Sequence, residues 1–118
     1  MPDTATTIRS AEQLLVSDDA EKAGEMLFAA WEADPDNPDL ANAYACICFR
    51  AGRSEEAARI LQVLIQQTPD DARALNNLGY ILLAQGQFEQ AEHHFRRALA
   101  LLPADVEILT NLGISLVH

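Results

Sequence analysis

Three prolines, Pro35, Pro69 and Pro103, stand 34 residues apart. A fixed interval of this length marks a stack of similar supersecondary units, and it constrains the fold more than any other feature of the chain. Sliding the sequence by 34 sets Gly52 over Gly86, Ala23 over Ala57 and Ala91, and Leu27 over Leu61 and Phe95. Leu14 falls over Cys48, Leu82 and Leu116. Tyr44, Leu78 and Leu112 share a further slot, and Ala11, Ala45, Gly79 and Gly113 share one that stays small throughout. In such a stack function lies on the surface that the units create together, which points to binding rather than to chemistry.

Within each unit the apolar residues recur every three or four positions, as in Leu75, Leu78, Leu82 and then Ala91, Phe95, Ala98, Leu99. That period makes both halves helical. Gly52 and Gly86 interrupt the pattern between the halves, so each unit is a helical hairpin. Start signals agree: Asn37 before Pro38, Asp71 before Ala72 and Asp105 before Val106 each place an acceptor side chain ahead of a helix, and Pro38 suits a first turn. Ser54 is the expected cap of one second helix, and Asp18 or Asp19 that of another. The spacing predicts helices over 5–16, 20–33, 38–51, 55–67, 72–85, 89–101 and 106–117, with no strands. The small slots predict close helix approach, with Gly79 facing Ala91 and Ala45 facing Ala57. A bulky residue there should wedge the helices apart at a cost of about 1–3 kcal/mol.

The 118 residues, 49% of them hydrophobic, can build a core without staples. Cys46 and Cys48, two apart, complete no metal or redox spacing and read as small packing residues. The first residues lack the basic patch and apolar core of a secretory signal, and no apolar run nears the roughly 18 residues that span a bilayer. A soluble, cytoplasmic protein with no membrane partner is expected. The net charge of −10, with Lys22 the single lysine, argues against a nucleic-acid surface, which needs clustered cations. Much of the acidity clusters at helix starts, where the helix dipole favours it.

Catalysis finds little support. The chain has no phosphate-cradling glycine loop, no histidines four apart and no nucleophile with a nearby base. Adjacent His93 and His94 should point apart, and Glu89 with His93 reads as a surface pair. Neither a cofactor nor a metal site is expected, and Trp31 is read as packing against the next unit.

The unit from Ala72 to Asp105 carries Leu78-Gly79, Leu82, Gly86, Phe88, Ala91, Phe95, Ala98 and Pro103. With that pattern the chain resembles the tetratricopeptide repeat family. Residues 38–71 match it through Tyr44, Ala45, Gly52, Ala57, Leu61 and Pro69, while residues 4–37 are degenerate and suit an N-terminal cap. The resemblance implies an all-α superhelical solenoid forming a single domain over 1–118, with repeats 4–37, 38–71 and 72–105 and a half repeat at 106–118. That last helix bears Ile108, Leu109, Leu112, Ile114, Leu116 and Val117. Its apolar surface suggests a piece of a longer array, or an end covered by a partner or by a second copy through Leu109, Leu112 and Leu116.

In this family the first helices of successive units line a concave groove. By that resemblance the groove would include Ile8, Glu12, Leu15, Asp39, Asn42, Cys46, Phe49, Arg50, Arg73, Asn76, Tyr80, Leu83, Glu107, Thr110, Ile114 and Val117. Phe49, Tyr80 and Leu83 would receive apolar side chains of a peptide. Asn42 and Asn76 would hold its backbone, and Arg50 and Arg73 would pair an acidic group. The family's clamp for a chaperone's C-terminal carboxylate does not fit the register: started at the second unit only Asn77 matches, and at the first only Arg73. The leading expectation is a non-catalytic scaffold that binds a peptide segment of a partner protein. Length, acidity and repeat count also resemble the type III secretion chaperones of bacteria, which hold export substrates. The third reading is a self-assembling structural module, a homodimer formed through the C-terminal helix.

Overall fold

A computed structural model describes residues 3–17 and 19–117. Among them lie seven helices and no strands: α1 (Thr4–Val16), α2 (Ala20–Ala33), α3 (Pro38–Arg50), α4 (Ser54–Gln67), α5 (Ala72–Ala84), α6 (Phe88–Leu101) and α7 (Val106–Leu116). The expected all-α repeat fold is therefore observed, with helix ends within a residue or two of those read from spacing.

Local chemistry explains these boundaries. Asn37 Oδ1 accepts from the Asp39 and Leu40 amides, Asp71 Oδ1 from Ala74, and Asp105 Oδ1 from Ile108, so three helix starts have the side-chain caps that the sequence implies. Asp19 caps α2 through the Lys22 amide, while Asp18 lies outside the described residues. Ser54 is not a preceding cap but the first residue of α4; Arg53, one position earlier, gives its carbonyl to the Ala57 amide. Gly52 and Gly86 adopt φ of 86° and 79°, a left-handed conformation that costs glycine little. Each ends its helix with the paired bonds of a Schellman motif: Gly52 N to Phe49 O with Arg53 N to Cys48 O, and Gly86 N to Leu83 O with Gln87 N to Leu82 O.

The 34-residue prolines sit at the second position of tight turns. These are closed by Asn37 N to Asp34 O, Asp71 N to Thr68 O and Asp105 N to Leu102 O. Proline's fixed φ suits that position, so each proline ends one hairpin and delivers the next cap residue into place.

The chain packs as two compact units, one up to Ile60 and one from Leu61. In the first, α2 packs on α1 and α3, and α1 also meets α3, where Asn37 Nδ2 donates to Thr4 Oγ1 at 3.0 Å. Its core includes Ala11, Ala23, Leu27, Leu40, Tyr44, Ala45, Ile47 and Cys48. Trp31 stacks on Tyr44 at 5.5 Å and 23°, a packing role on the next repeat as expected. In the second unit α6 packs between α5 and α7, around Leu75, Leu78, Leu82, Ala91, Phe95, Ala98 and Ile108. The small slot at Gly79 is filled by the Phe95 ring rather than by Ala91, since a Cβ on Gly79 would meet Phe95 Cε1 at 2.6 Å.

Candidate peptide-binding faces

The first helices of the successive repeats are α1 and α3 in the first unit, and α5 and α7 in the second. The α5/α7 face has the better-defined chemistry. Asn76, buried on α5, accepts at Oδ1 from Asn111 Nδ2 of α7 at 3.0 Å and donates through Nδ2 to Glu107 Oε1 at 3.4 Å. This network ties two successive first helices together. Among the described residues, every buried side-chain polar atom has a partner, so the amides lie in a satisfied interior rather than in a strained one.

One turn beyond Asn76 stands Tyr80, 47% exposed, and one turn beyond Asn111 stands Ile114, also exposed. Residues three or four apart share a helix face, so Tyr80 and Ile114 continue the face that Asn76 and Asn111 begin. Half-buried Leu83 follows on α5, and exposed Arg73 precedes Asn76 by one turn. The α5/α7 face thus grades from a charged and polar end to an apolar one.

On α3, Asn42 is buried and its amide donates to the carbonyl of Pro38, one turn earlier in the same helix, at 3.0 Å. Phe49 is half-buried, Cys46 and Arg50 are exposed, and α1 contributes exposed Glu12 and half-buried Leu15. The expectation that Asn42 and Asn76 present their amides to a peptide backbone needs correction. The period of the sequence gives the face on which each lies but not its depth, and both side chains are engaged inside the protein. Cys46 is likewise no packing residue, unlike buried Cys48; neither forms a disulfide.

The last helix also differs from expectation in one residue. Leu109 and Leu116 are 46% and 51% exposed, but Leu112 points into the core. His93 and His94 meet edge-on, with ring centroids 5.6 Å apart, rather than pointing apart. His94 Nδ1 lies 2.8 Å from the Gln90 carbonyl, and burial holds its ionisation below the usual histidine range. No described helix is long and apolar enough to cross a membrane.

The link from Asn76 to Glu107 and Asn111 escapes a reading by 34-residue slots because 76 and 111 are 35 apart. Its signal in the sequence was the run of polar residues, Asn76, Asn77, Thr110 and Asn111, in otherwise apolar helices.

A family model described as the tetratricopeptide repeat matches residues 72–105, and a second of the same description matches residues 14–78, more than half of the chain. No curated protein sequence matches. Among solved structures the chain is similar to the first TPR domain of human RPAP3, at 22% identity over 93% of this chain and 87% of that one, with a TM-score of 0.83. It is also similar to the first TPR of Spaghetti (RPAP3) bound to the HSP90 peptide SRMEEVD, at 21% identity, 94% and 89% coverage and a TM-score of 0.82. The Sgt2 TPR domain from Aspergillus fumigatus shares 15% identity, covers 98% and 78%, and gives 0.86. At these identities the structures share the fold. Seven helices, proline turns at a 34-residue interval and the two family matches together establish that the chain belongs to the tetratricopeptide repeat family.

Proposed function

We propose that the chain is a non-catalytic, cytoplasmic interaction scaffold that holds a segment of a partner protein on the first helices of its repeats. The observation that carries this reading is the α5/α7 face, where half-exposed Tyr80, Leu83 and exposed Ile114 adjoin a charged end made by Arg73 and Glu107, with Asn76 buried beneath it. Rigid helices present these groups without a loop to order, which lowers the cost of binding. Two similar structures hold the HSP90 peptide SRMEEVD and, in the second TPR domain of human RPAP3, the HSP70 peptide SGPTIEEVD. Both peptides end in EEVD, three of whose four side chains are acidic. Here the α5/α7 face sets Glu107 and two buried neutral amides beside a single cation, Arg73, and the net charge of the chain is −10. The preferred segment therefore has apolar side chains and little negative charge.

Peptides selected from a displayed library against the whole chain, then measured by calorimetry, test the reading. Tyr80→Ala and Ile114→Ala should each weaken binding about tenfold, or ~1.4 kcal/mol. Unchanged affinity in both variants removes the face from the function.

Self-association is a second reading, favoured by the exposed stripe Val106, Leu109 and Leu116 on α7. Sedimentation should then depend on concentration, and Leu109→Glu should abolish the dependence.

A further inference from the structure

The first unit also contains a cleft of about 630 Å³ on the side of α3 away from Cys46 and Phe49. Tyr44 and Cys48 line it, and at 3.6 residues per turn they lie across the helix from Cys46 and Phe49. Gly24 of α2 opens the space: a Cβ there would rest 3.5 Å from Ile47 Cγ2, and the same slot carries Ala58 and Glu92 in later repeats. The volume falls within the range of about 300–1,000 Å³ typical of ligand clefts.

The walls are aromatic and acidic. Phe28 is 41% exposed, and its ring centroid lies 5.5 Å from that of Tyr44. Glu21 and Glu25, one turn apart on exposed α2, stand on the same side of the helix as Phe28. Glu56 closes the far wall, accepting from Tyr44 Oη at 3.4 Å and lying 3.3 Å from Arg53 Nη1. The lining thus carries three carboxylates and one guanidinium, which is paired with Glu56. The wider surroundings are acidic as well: residues 1–60 carry twelve Asp and Glu against five Lys and Arg, whereas residues 61–118 carry six against three.

We propose that this cleft is a docking site for an arginine or lysine side chain presented by an apolar segment of a partner protein. The cation sits between Glu21 and Glu25 and over the face of Phe28, where ring quadrupole and carboxylates attract it together. The aliphatic stem and a neighbouring apolar residue lie along exposed Phe28, above a floor of buried Tyr44 and Ile47. The site is independent of the α5/α7 face and stands whether or not that face binds a peptide.

Trp31, the single tryptophan, stacks on Tyr44 and lies 6.2 Å from Phe28, so its emission reports occupancy of the cleft. The whole chain is titrated with Ac-Ala-Leu-Arg-Leu-Ala-amide and with the same peptide carrying citrulline for arginine. A saturable change with a dissociation constant of about 1 mM or tighter is expected. The citrulline peptide, and a Glu21→Gln/Glu25→Gln variant shown folded by circular dichroism, should each bind at least about fivefold more weakly, and added salt should weaken the arginine peptide. Tyr80→Ala should bind as the parent does. No saturable change, equal binding of the two peptides, or loss in Tyr80→Ala with none in the glutamate variant overturns the proposal. Arginine amide binding as tightly as the pentapeptide also overturns it, in favour of a free small cation.

Discussion

The Phe95 ring occupies the space that a side chain on Gly79 would need, with Cε1 and Cδ1 at 2.6 and 2.8 Å from the position of a Cβ. Both residues are buried, and the contact holds α5 and α6 together at closer range than any larger residue allows.

Gly79→Ala should therefore destabilise the protein by about 1–3 kcal/mol, because a fully buried ring has little room to retreat. Gly113 occupies the same slot one repeat later, yet nothing lies within 4 Å of its Cβ position. Gly113→Ala should be neutral or stabilise by about 0.5–1 kcal/mol through helix propensity. Urea denaturation of the two variants measures both, and equal effects would show that the slot is set by the repeat rather than by Phe95. Shortening the ring in Gly79→Ala/Phe95→Leu should make the double variant less unstable than the sum of the singles.

These two glycines mark the limit of what the sequence discloses. A 34-residue slot gives the height and face of a residue, and both glycines read alike at that level. Which side chain arrives from the facing helix depends on crossing geometry, so Ala91 was the expected neighbour of Gly79 and Phe95 is the actual one. Caps and turns are more legible: Asn37, Asp71 and Asp105 act on amides two or three residues away, and no distant packing intervenes. Depth is the least legible property. Asn42, Asn76 and Asn111 look like surface amides and are buried, because each found a partner within reach.

The Asn76 network makes a sharp test of that burial. Asn76→Asp places a carboxylate at a buried position opposite the carboxylate of exposed Glu107, so burial and the neighbouring like charge both disfavour its ionised form. We expect a loss of about 2–4 kcal/mol at pH 7, with recovery as the pH falls and one carboxyl takes up a proton. Adding Glu107→Gln should restore most of the stability at pH 7. A pH-independent loss would point to packing instead.

Thiol labelling separates the two cysteines. Cys46 is exposed, whereas Cys48 is buried and its ionisation is pushed up by that burial. Because the thiolate is the reactive form, iodoacetamide at pH 8 should modify Cys46 quickly and Cys48 only on unfolding. Mass spectrometry of a time course reads this directly. Rapid double labelling would mean that α3 opens far more readily than its packing implies.

Tyr44 should give the fold an alkaline limit. Burial, followed by its hydrogen bond with Cys48 and the charges of Cys48 and Glu56, pushes its ionisation from the ordinary value of 10.0 up to about 12. Between those values the unfolded chain releases a proton that the folded chain retains. The stabilisation is thus complete below pH 10 and is lost as the pH rises towards 12. Cys48, raised in the same direction, extends the loss to somewhat lower pH. In a Tyr80→Phe variant Tyr44 is the only tyrosine, so absorbance at the phenolate band follows it alone. Its midpoint should lie well above 10 and coincide with loss of helical dichroism, since the ring must leave its place against Phe28 and Trp31 to ionise in water. Ionisation near pH 10 with the helices intact would show that the hydroxyl reaches solvent in the folded protein.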